Sequence, residues 1–503
     1  MGSIADKLGK KEVVRRWSCW CRDGQVGMVN LVEMVQRLHN QASQQSDRLA
    51  ILDLHRHQSI AFAQLNQAAE QFAILLQNSG VQAGDTVLVL LSMSIDLPVT
   101  LLALLQLEAI IWFVEPSVGH HPFKRHGFPF PKALIAHWNT HLRHFRSPAY
   151  RRIPIHFSIG FPFPGTISWS ADTAPLPRSP LTTGKTVLTT RSIDLLTHLA
   201  SGATSLILSV DQAASDLQPA RMLRQIQKYQ PNAMTASPDG LEQLADFCER
   251  RSLKLLNFHR LLSDGTPMLP RLLDRLQTLA PQAEITSVYG SPNLHSIARI
   301  TYRQIQMPEM AAMSTGKGLL VGEPDLGLQL RIVRDRPEQA VSSLTEQAFA
   351  AWCLSNQQVG EIVVRDGLNR HKLNALQGAE PPDQTIDVAG VIWHRTGDAG
   401  YVDEQGRLWL LGRCNTRIED EQGVLYPFAV EVAASFHDGV RRTAIVSQQG
   451  QRILLIELKR SAVRDAVARA ACLNTLKLVL SWAKIQTFQV VPSVSKSLKN
   501  QPI

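Results

Sequence analysis

The sequence holds only six cysteines in 503 residues. The closest pair, Cys19 and Cys21, has a spacing that suits neither a zinc site nor a thioredoxin-type redox motif, and no Cys-x-x-Cys pair occurs. Cysteine-based metal or redox chemistry is therefore not expected. We predict a reduced, cytoplasmic setting, because structural disulfides belong to oxidising compartments.

Long apolar runs are also lacking. The most apolar region extends from Thr86 to Val114, and Asp96, Pro98 and Glu108 interrupt it. A charge near the middle of a membrane span is costly in lipid. We therefore predict a buried strand followed by a helix in this region, and no membrane span.

Acidic residues are missing from the stretch 116–171, which carries seven lysines and arginines and seven histidines, in a chain of net charge +9. Three ligands would suit such a stretch: nucleic acid, a metal bound by His120, His121 and His126, or an anionic substrate such as the CoA phosphates. No carboxylate or thiolate accompanies the histidines, and the aromatic residues lie beside prolines. We favour a solvated basic loop and surface that binds no nucleic acid.

The rest of the chain alternates between strand and helix patterns. Apolar residues at steps of three and four predict a helix from Ser59 to Gly80. The same reasoning predicts strands at 87–91, 110–114, 205–208 and 283–289, and helices at 97–107, 193–200, 218–229, 240–251 and 269–280. Such alternation predicts an α/β fold with a large N-terminal domain of open sheets, whose ligands lie at the carboxyl ends of strands.

The segment from Trp393 to Glu431 carries the strongest functional signal. It contains a Thr-Gly-Asp turn ending at Asp398, a tight turn at 404–406 and an apolar strand that leads to Arg413. A carboxylate can accept hydrogen bonds from both hydroxyls of a vicinal diol, and a guanidinium offers a rigid fork of donors. Asp398 and Arg413 are therefore predicted to bind a nucleotide ribose. A turn-capping Asp and a surface ion pair are the alternatives.

The spacing and residues of this segment resemble the adenylate-forming (AMP-dependent) synthetase and ligase superfamily. The likeness extends from about Met28 over nearly the whole chain, and includes Asp85–Leu91, the Gly-Glu-Ile strand at 360–365 and the Tyr-Gly-Ser element at 287–291. Its nearest members are the fatty-acyl-CoA ligases and β-lactone synthetases. The resemblance implies a protein that uses ATP and Mg²⁺ to activate a carboxylic acid, with CoA as one acceptor.

The resemblance also assigns further site residues. Tyr289 would stack on adenine, although a core aromatic at a strand end is the alternative. Gly290 and Ser291 would lie beside it, and Gly265 and Thr266 would form the turn behind the adenine.

Lys499 is the candidate for the family's C-terminal lysine, which stabilises charge as the adenylate forms. Lys496 is a second, equally poor match to that lysine, and a solvated terminal lysine is the alternative for either. The family's hinge position, usually Asp or Lys, is Asn415 here.

Two departures from the family pattern bear on phosphate binding. The stretch between Trp169 and Arg191 is too short for the family's phosphate loop with its helix and strand, and Lys185 is its only lysine. Thr-Gly-Lys-Thr at 183–186 mimics the end of a P-loop, but Ser179 stands where that motif needs glycine. Further along, Pro292 and Asn293 replace the family's Thr and Glu, and an asparagine lacks the charge that would hold Mg²⁺.

The predicted domains are an N-terminal extension (1–27), an AMP-binding domain (28–413) and a small α+β lid (414–503). The extension lacks an apolar core, so no secretory signal is predicted. The segment 368–391 is predicted as a loop. In the lid we predict strands at 444–446 and 453–456 and a helix at 461–482. Glu431 would either hold the lid backbone or cap a helix that starts at Pro427.

Two functions therefore remain open. In the first, the chain is an enzyme that forms an acyl-adenylate from ATP and passes the acyl group to CoA or an internal nucleophile. In the second, it is a catalytically inactive pseudoenzyme that keeps the adenylation fold as a nucleotide-binding or regulatory protein. The ribose motif favours the first, and the altered phosphate and metal positions favour the second.

Overall fold

The computed structural model describes residues 17–20, 26–29, 31–44, 46–114, 130–144, 147–177, 185–190, 194–208, 219–263, 266–290, 296–335, 343–366, 385–459, 462–463 and 465–494. Internal contacts divide the chain into two compact units. Unit 1 comprises Met1–Gln243 with Gly367–Pro381, and unit 2 comprises Leu244–Asp366 with Pro382–Ile503. The predicted domain boundary after Arg413 stays a prediction.

Unit 1 alternates strands and helices along most of its length. Its strands are β1 (Trp17–Trp20), β2 (Val26–Val29), β3 (Leu49–Asp53), β4 (Gln58–Ala61), β5 (Thr86–Leu90), β6 (Ile110–Phe113), β7 (Ala133–His137), β8 (Ile155–Ile159), β9 (Ile167–Trp169), β10 (Ala174–Pro175), β11 (Thr186–Thr189), β12 (Thr204–Ile207) and β13 (Ala233–Ala236). Its helices are α1 (Leu31–Gln44), α2 (Phe62–Asn78), α3 (Asp96–Gln106), α4 (Trp138–His144), α5 (Pro148–Arg151), α6 (Asp194–Ala200) and α7 (Pro219–Tyr229). The next helix, α8 (Pro238–Glu249), contains the residues at which the division falls.

Two larger sheets and the antiparallel pair β1-β2 lie in unit 1. One has the strand order β10-β4-β3-β12-β11-β13, and its β3, β12, β11 and β13 are parallel. The other is parallel throughout, in the order β6-β5-β7-β8-β9. Residues of both sheets and of α1, α2, α3 and α6 share one apolar core, in which Phe72 stacks on Trp169 with ring centroids 4.3 Å apart. Strand β5 is buried at every position, as central strands of parallel sheets are.

Unit 2 contains more strands than helices. Its strands are β14 (Arg260–Ser263), β15 (Glu284–Tyr289), β16 (Ala298–Thr301), β17 (Leu319–Pro324), β18 (Leu328–Val333), β19 (Ser343–Leu344), β20 (Gly360–Asp366), β21 (Thr385–Val388), β22 (Val391–Val402), β23 (Leu408–Arg413), β24 (Ile418–Asp420), β25 (Gly423–Leu425), β26 (Val440–Gln448), β27 (Gln451–Leu458) and β28 (Thr487–Val490). Its helices are α9 (Pro270–Leu279), α10 (Met307–Ser314), α11 (Glu346–Trp352), α12 (Pro427–Ser435) and α13 (Ala466–Val479).

The main sheet of unit 2 has the order β14-β15-β16-β17-β23-β22-β20-β18. Only β14 and β15 of this series are parallel; each later neighbour is antiparallel. A three-stranded sheet, β26-β27-β28, forms a second core with α12 and α13. The mixed α/β fold class is therefore confirmed, and the predicted strands and helix of the small C-terminal region are present.

Most predicted elements are found within two or three residues of their expected ends. Helix α2 buries Phe62, Leu65 and Leu76 on one face, as its apolar spacing predicts. Its predicted start at Ser59 was wrong, because Gln58–Ala61 pairs with β3 as strand β4. The predicted loop at 368–391 was also wrong at its end, since Thr385–Val388 pairs with β22; residues 367–384 lie outside the described residues.

Where it is described, the basic stretch 116–171 is only in part the solvated loop and surface that we favoured, since Arg143, Arg151 and Arg152 are exposed but most of the stretch is not a loop. Residues 130–144 and 147–171 include β7, β8, β9 and two helices. His137 and His141 are buried, and the Nε2 atom of His141 lies 2.9 Å from the carbonyl oxygen of Phe157. Burial lowers the pKa of both imidazoles. These histidines therefore belong to the core, and His120, His121 and His126 lie outside the described residues.

In the described part of the chain, no helix is long and apolar enough to cross a lipid bilayer.

Candidate nucleotide site in unit 2

The predicted Thr-Gly-Asp turn lies inside a strand. Strand β22 pairs with β20 on one side and β23 on the other, and this pairing outweighs the local turn preference of the three residues. Gly397 keeps one trace of a turn, since its φ of +69° is a value that non-glycine residues rarely adopt. The register places Asp398 directly opposite Arg413 across the β22–β23 ladder. The two predicted ribose ligands are thus neighbours because of strand pairing.

Each carboxylate oxygen of Asp398 contacts a different side chain. The hydroxyl of Tyr289, at the end of β15, donates to Oδ2 at 2.7 Å. Nε of Arg413 lies 3.1 Å from Oδ1. The backbone N–H of Asp398 donates to Oγ1 of Thr396, and that hydroxyl donates in turn to the carbonyl of Ile362 on β20. Three strands therefore fix the position of one carboxylate.

Burial and charge act on Asp398 in opposite directions. Burial raises the pKa of its carboxyl, while Arg413 and the Tyr289 hydroxyl lower it, and burial prevails. The pKa of Tyr289 is well above its ordinary value, because its ring is buried and its hydroxyl faces the Asp398 carboxylate. Tyr289 therefore stays a protonated donor at neutral pH. Arg413 differs from both, since its side chain is 62% exposed whereas that of Asp398 is only 11% exposed.

The structure brings together three of the predicted site residues: Tyr289, Asp398 and Arg413. Gly290 follows Tyr289 at the end of β15, and Thr266 is exposed between β14 and α9. The ring of Tyr289 is 2% exposed, so in this conformation it has no open face on which a base could stack. The remaining predicted residues, Gly265, Ser291 and Lys499, lie outside the described residues, as do Pro292 and Asn293.

The chain is similar to known proteins. A family profile described as "AMP-binding enzyme" matches residues 38–124 and 187–368, more than half of the chain. The chain belongs to the AMP-binding enzyme family. Among curated proteins, it is 28% identical over 283 residues to the olefin β-lactone synthetase of Xanthomonas campestris pv. campestris, covering 54% of this chain and 48% of that protein. The chain spans about half the length of the curated relatives of that name.

Solved structures of other proteins show the same fold. The amide bond synthetase McbA from Marinactinospora thermotolerans superposes with a TM-score of 0.67 at 17% identity, over 92% of this chain and 96% of that one. The O-succinylbenzoate coenzyme A synthetase MenE from Bacillus subtilis, in complex with ATP and magnesium ion, gives 0.60 at 16% identity over 91% and 95%. At such identities the likeness establishes the fold alone.

A second polar group in this AMP-binding family member was not predicted. Arg395, three residues before Asp398, binds Glu361 of β20 with two nitrogens, and the shortest contact is 2.6 Å. The two side chains are only 9% and 2% exposed. Glu361 and Arg395 both lie in motifs noted in the sequence. A charged residue at an inward-facing position of each strand was the signal that could have predicted the pair. A buried, closed pair of this kind supports the strands that carry Asp398.

The segment that follows Arg413 at the end of β23 is contacted by Asp335, which lies two residues after β18. Its Oδ2 atom lies 2.7 Å from Nη1 of Arg417 and accepts a hydrogen bond from the hydroxyl of Tyr426 at 3.3 Å. The predicted hinge residue Asn415 is exposed in the 3₁₀ turn Cys414–Thr416. An ion pair and a hydrogen bond thus connect the segment 414–426 to Asp335.

The cluster of candidate metal ligands among the described residues does not suit Mg²⁺. Their one group of three candidate metal ligands is Asp335, Glu361 and Cys414, whose ligand atoms lie within 4.8 Å of one another. Mg²⁺ selects oxygen ligands, so a thiol is a poor partner for it. Glu361 is already bound by Arg395, and Asp335 by Arg417. These three side chains therefore do not form a magnesium site.

The structure excludes one of the two roles considered for Glu431. Helix α12 starts at Pro427, as predicted, so Glu431 lies in its second turn and cannot cap its first. The capping role was therefore wrong. Burial raises the pKa of this carboxyl to about 7.

Proposed function

We propose that this chain is an AMP-forming acid ligase that binds the ribose of ATP through Asp398 and Arg413. The observation that carries the proposal is the arrangement of donors on Asp398. Its Oδ2 atom accepts one hydrogen bond, from Tyr289, its Oδ1 atom faces Arg413 in an ion pair, and a carboxylate oxygen has two acceptor sites. One acceptor site on each oxygen is thus left for the 2′- and 3′-hydroxyls of a ribose. Arg413, mostly in solvent, can turn toward the same sugar or its phosphate.

The proposed reaction is the activation of a carboxylic acid, with a fatty acid as the substrate class. A carboxylate oxygen of the acid forms a bond to the α-phosphorus of ATP, and the bond to the bridging oxygen of pyrophosphate breaks. The products are an acyl-adenylate and pyrophosphate. Asp398 and Arg413 would hold the ribose so that the α-phosphate stays in line, which is a positioning role. Lys499 remains the candidate for the cation near the acid, and CoA the candidate acceptor.

A second candidate, a nucleotide-binding pseudoenzyme, is favoured by a separate observation. The chain has Pro292 and Asn293 where the family pattern has Thr and Glu, and too few residues between Trp169 and Arg191 for a phosphate loop. Losing a preorganised phosphate contact costs a transition state several kcal/mol, and about 1.4 kcal/mol is a tenfold change in rate. Such a protein would bind AMP or ATP without catalysing adenylate formation.

Acid-dependent pyrophosphate release tests the two candidates. Full-length protein would be incubated with Mg-ATP and a panel of medium-chain, long-chain and β-hydroxy fatty acids, with and without CoA. We expect release with at least one acid, and a 10- to 100-fold lower kcat/KM in Asp398→Asn, roughly the worth of hydrogen bonds to a charged group. Asp438→Asn is the matched control, because that side chain is fully exposed. Nucleotide binding with no release across the panel would favour the pseudoenzyme instead.

A further inference from the structure

One apolar cluster of unit 2 contains the chain neighbours of the candidate site residues. Ala399 follows Asp398 on β22, Cys414 follows Arg413 at the end of β23, and both neighbours are buried. The buried members of the cluster are Ala399, Leu411, Cys414 and Ala429, and the half-buried side chains packed against them are Tyr401, Tyr426 and Trp482. Because protein interiors are close-packed, this cluster fixes the backbone beside each of the two site residues.

Trp482 differs from the other members because it also packs against the second core of unit 2. It lies in the 3₁₀ turn Ser481–Ala483, which follows α13. The carbonyl of Ala483 accepts a hydrogen bond from Nη1 of the buried Arg452 at 2.8 Å, and Arg452 binds Asp420 at 2.6 Å. The backbone next to Trp482 is thus held by buried contacts, and its ring joins the two apolar clusters.

The ring of Trp482 lies against a glycine. Gly316 follows helix α10, and a Cβ atom built on it would collide with the six-membered ring of Trp482. Its φ of +90° is also a value that favours glycine. Among the residues that the structure describes, the buried Nε1–H group of Trp482 has no hydrogen-bond partner. Trp482 therefore acts through the packing of its ring, although a buried tryptophan usually finds an acceptor for this group.

We propose that Trp482, seated on Gly316, is a positioning residue for the nucleotide site. Its ring closes the cluster beside Asp398 and Arg413, and a close-packed interior passes the displacement of one side chain on to its neighbours. With the ring in place, the two site residues keep the separation at which both reach one ribose. The inference rests on the proposed function, because it gives Trp482 a role in the ribose binding assigned to Asp398.

Ribose preference tests the proposal, measured as the ratio of the Kd for 2′,3′-dideoxy-ATP to the Kd for ATP. Full-length Trp482→Ala should lower this ratio about fivefold, the size of coupling expected within one packing cluster. Trp482→Phe should keep the ratio within about twofold of the wild type, because phenylalanine keeps a ring on Gly316. A change in overall stability alone leaves the ratio unchanged, because both nucleotides bind the same folded protein.

A matched pair of glycine substitutions tests the same contact from its other side. Gly316→Ala forces the Trp482 ring away, whereas Gly390→Ala adds the same methyl group at a φ of +83°, where nothing beyond its chain neighbours lies within 4 Å. Both variants carry a similar backbone penalty, because alanine disfavours a positive φ. We expect only Gly316→Ala to lower the ribose preference, and we expect it to have no further effect in the Trp482→Ala background.

The outcomes separate this inference from the proposed function. An unchanged ratio in Trp482→Ala and Gly316→Ala, beside a wild type that prefers ATP, would overturn the inference and leave the proposed function standing. Equal losses in Gly316→Ala and Gly390→Ala would also overturn it, since backbone strain would then be the cause. A wild type without ribose preference would overturn the proposed function, and the role of Trp482 with it.

Discussion

Two pairs of arginine and carboxylate lie three residues apart on strand β22, and they differ in exposure. The side chains of Arg395 and Glu361 are 9% and 2% exposed, and two guanidinium nitrogens face the carboxylate. In the second pair, Asp398 is nearly as buried, at 11%, but its partner Arg413 is 62% exposed. The same two residue types therefore form a closed pair at one point of the strand and an open pair at the next.

This difference in exposure suggests different roles for the two pairs, one in stabilising the strands and one in binding a ligand. A buried ion pair satisfies its own charges, and removing one partner leaves the other without compensation in a poorly solvated place. An exposed arginine contributes little to stability, because water competes for its donors. Arg413 contacts Asp398 and donates a hydrogen bond to the carbonyl of Thr396 at 3.3 Å, and because its side chain is exposed it can exchange these contacts for a ligand. We infer that Glu361–Arg395 stabilises the strands and that Asp398–Arg413 serves the nucleotide.

The largest expected effect is on stability. Arg395→Ala should lower the free energy of unfolding by about 3–5 kcal/mol, because it leaves the Glu361 carboxylate buried without a partner. Arg413→Ala should lower it by less than about 1 kcal/mol. Denaturant unfolding of the two variants beside the wild type gives both values. Equal losses would mean that the distinction between the closed and the open pair is wrong.

The second effect is on nucleotide affinity and reverses the order of the two arginines. Arg413→Ala should raise the Kd for AMP by roughly 10- to 100-fold, which is about 1.5–3 kcal/mol for hydrogen bonds that involve a charged group. Isothermal titration with folded protein measures it. Arg413→Lys is the informative companion, since lysine keeps the charge but not the fork. An unchanged Kd in Arg413→Ala would contradict a role in the site.

Glu431 extends the comparison to a carboxyl on which burial is the dominant influence. Its pKa is raised to about 7 by burial. Between the unfolded value of about 4.3 and about 7, the folded state keeps a proton that the unfolded state has lost, so stability falls as pH rises through this window. Glu431→Gln should therefore raise the free energy of unfolding by about 3–4 kcal/mol more at pH 8 than near pH 4.5. The same gain at both pH values would contradict this account.

The smallest effect is a shift in pH dependence at Asp398. Burial raises the pKa of this carboxyl, and Arg413 opposes the rise. Protonation removes acceptor capacity, so AMP affinity should fall on acidification at a higher pH than for an ordinary aspartate. In Arg413→Ala this loss of AMP affinity on acidification should occur at a still higher pH. In Asp398→Asn it should vanish. Titrations between pH 4 and 8 would show both changes. If AMP affinity still falls on acidification in Asp398→Asn, the titrating group is not Asp398.

The open pair could be predicted from the sequence, and the closed pair could not. Thr-Gly-Asp and the strand leading to Arg413 are local signals, and the antiparallel register then sets Asp398 opposite Arg413. Glu361 and Arg395 are 34 residues apart, and only the pairing of β20 with β22 shows that they meet. Tyr289 is 109 residues from Asp398, so its hydrogen bond was equally hidden.

The basic stretch shows a limit of another kind. A run without acidic residues indicated a solvated surface, yet His137 and His141 are buried in a parallel sheet and its adjoining helix. Neutral histidine is compatible with burial once a ring nitrogen finds a backbone carbonyl, here those of Ile159 and Phe157. A count of charges along the sequence does not reveal these hydrogen bonds, because the partner carbonyls belong to another strand, β8.

The central claim is that Asp398 recognises the hydroxyls of a ribose, and one binding comparison tests it most directly. The Kd values of ATP and 2′,3′-dideoxy-ATP would be measured for the wild type and for Asp398→Asn. We expect the wild type to prefer ATP at least about tenfold, since each hydrogen bond to a charged group is worth about 1.5–3 kcal/mol. The preference should disappear in Asp398→Asn. A wild type that binds both nucleotides equally, or a variant that keeps the preference, would contradict the account.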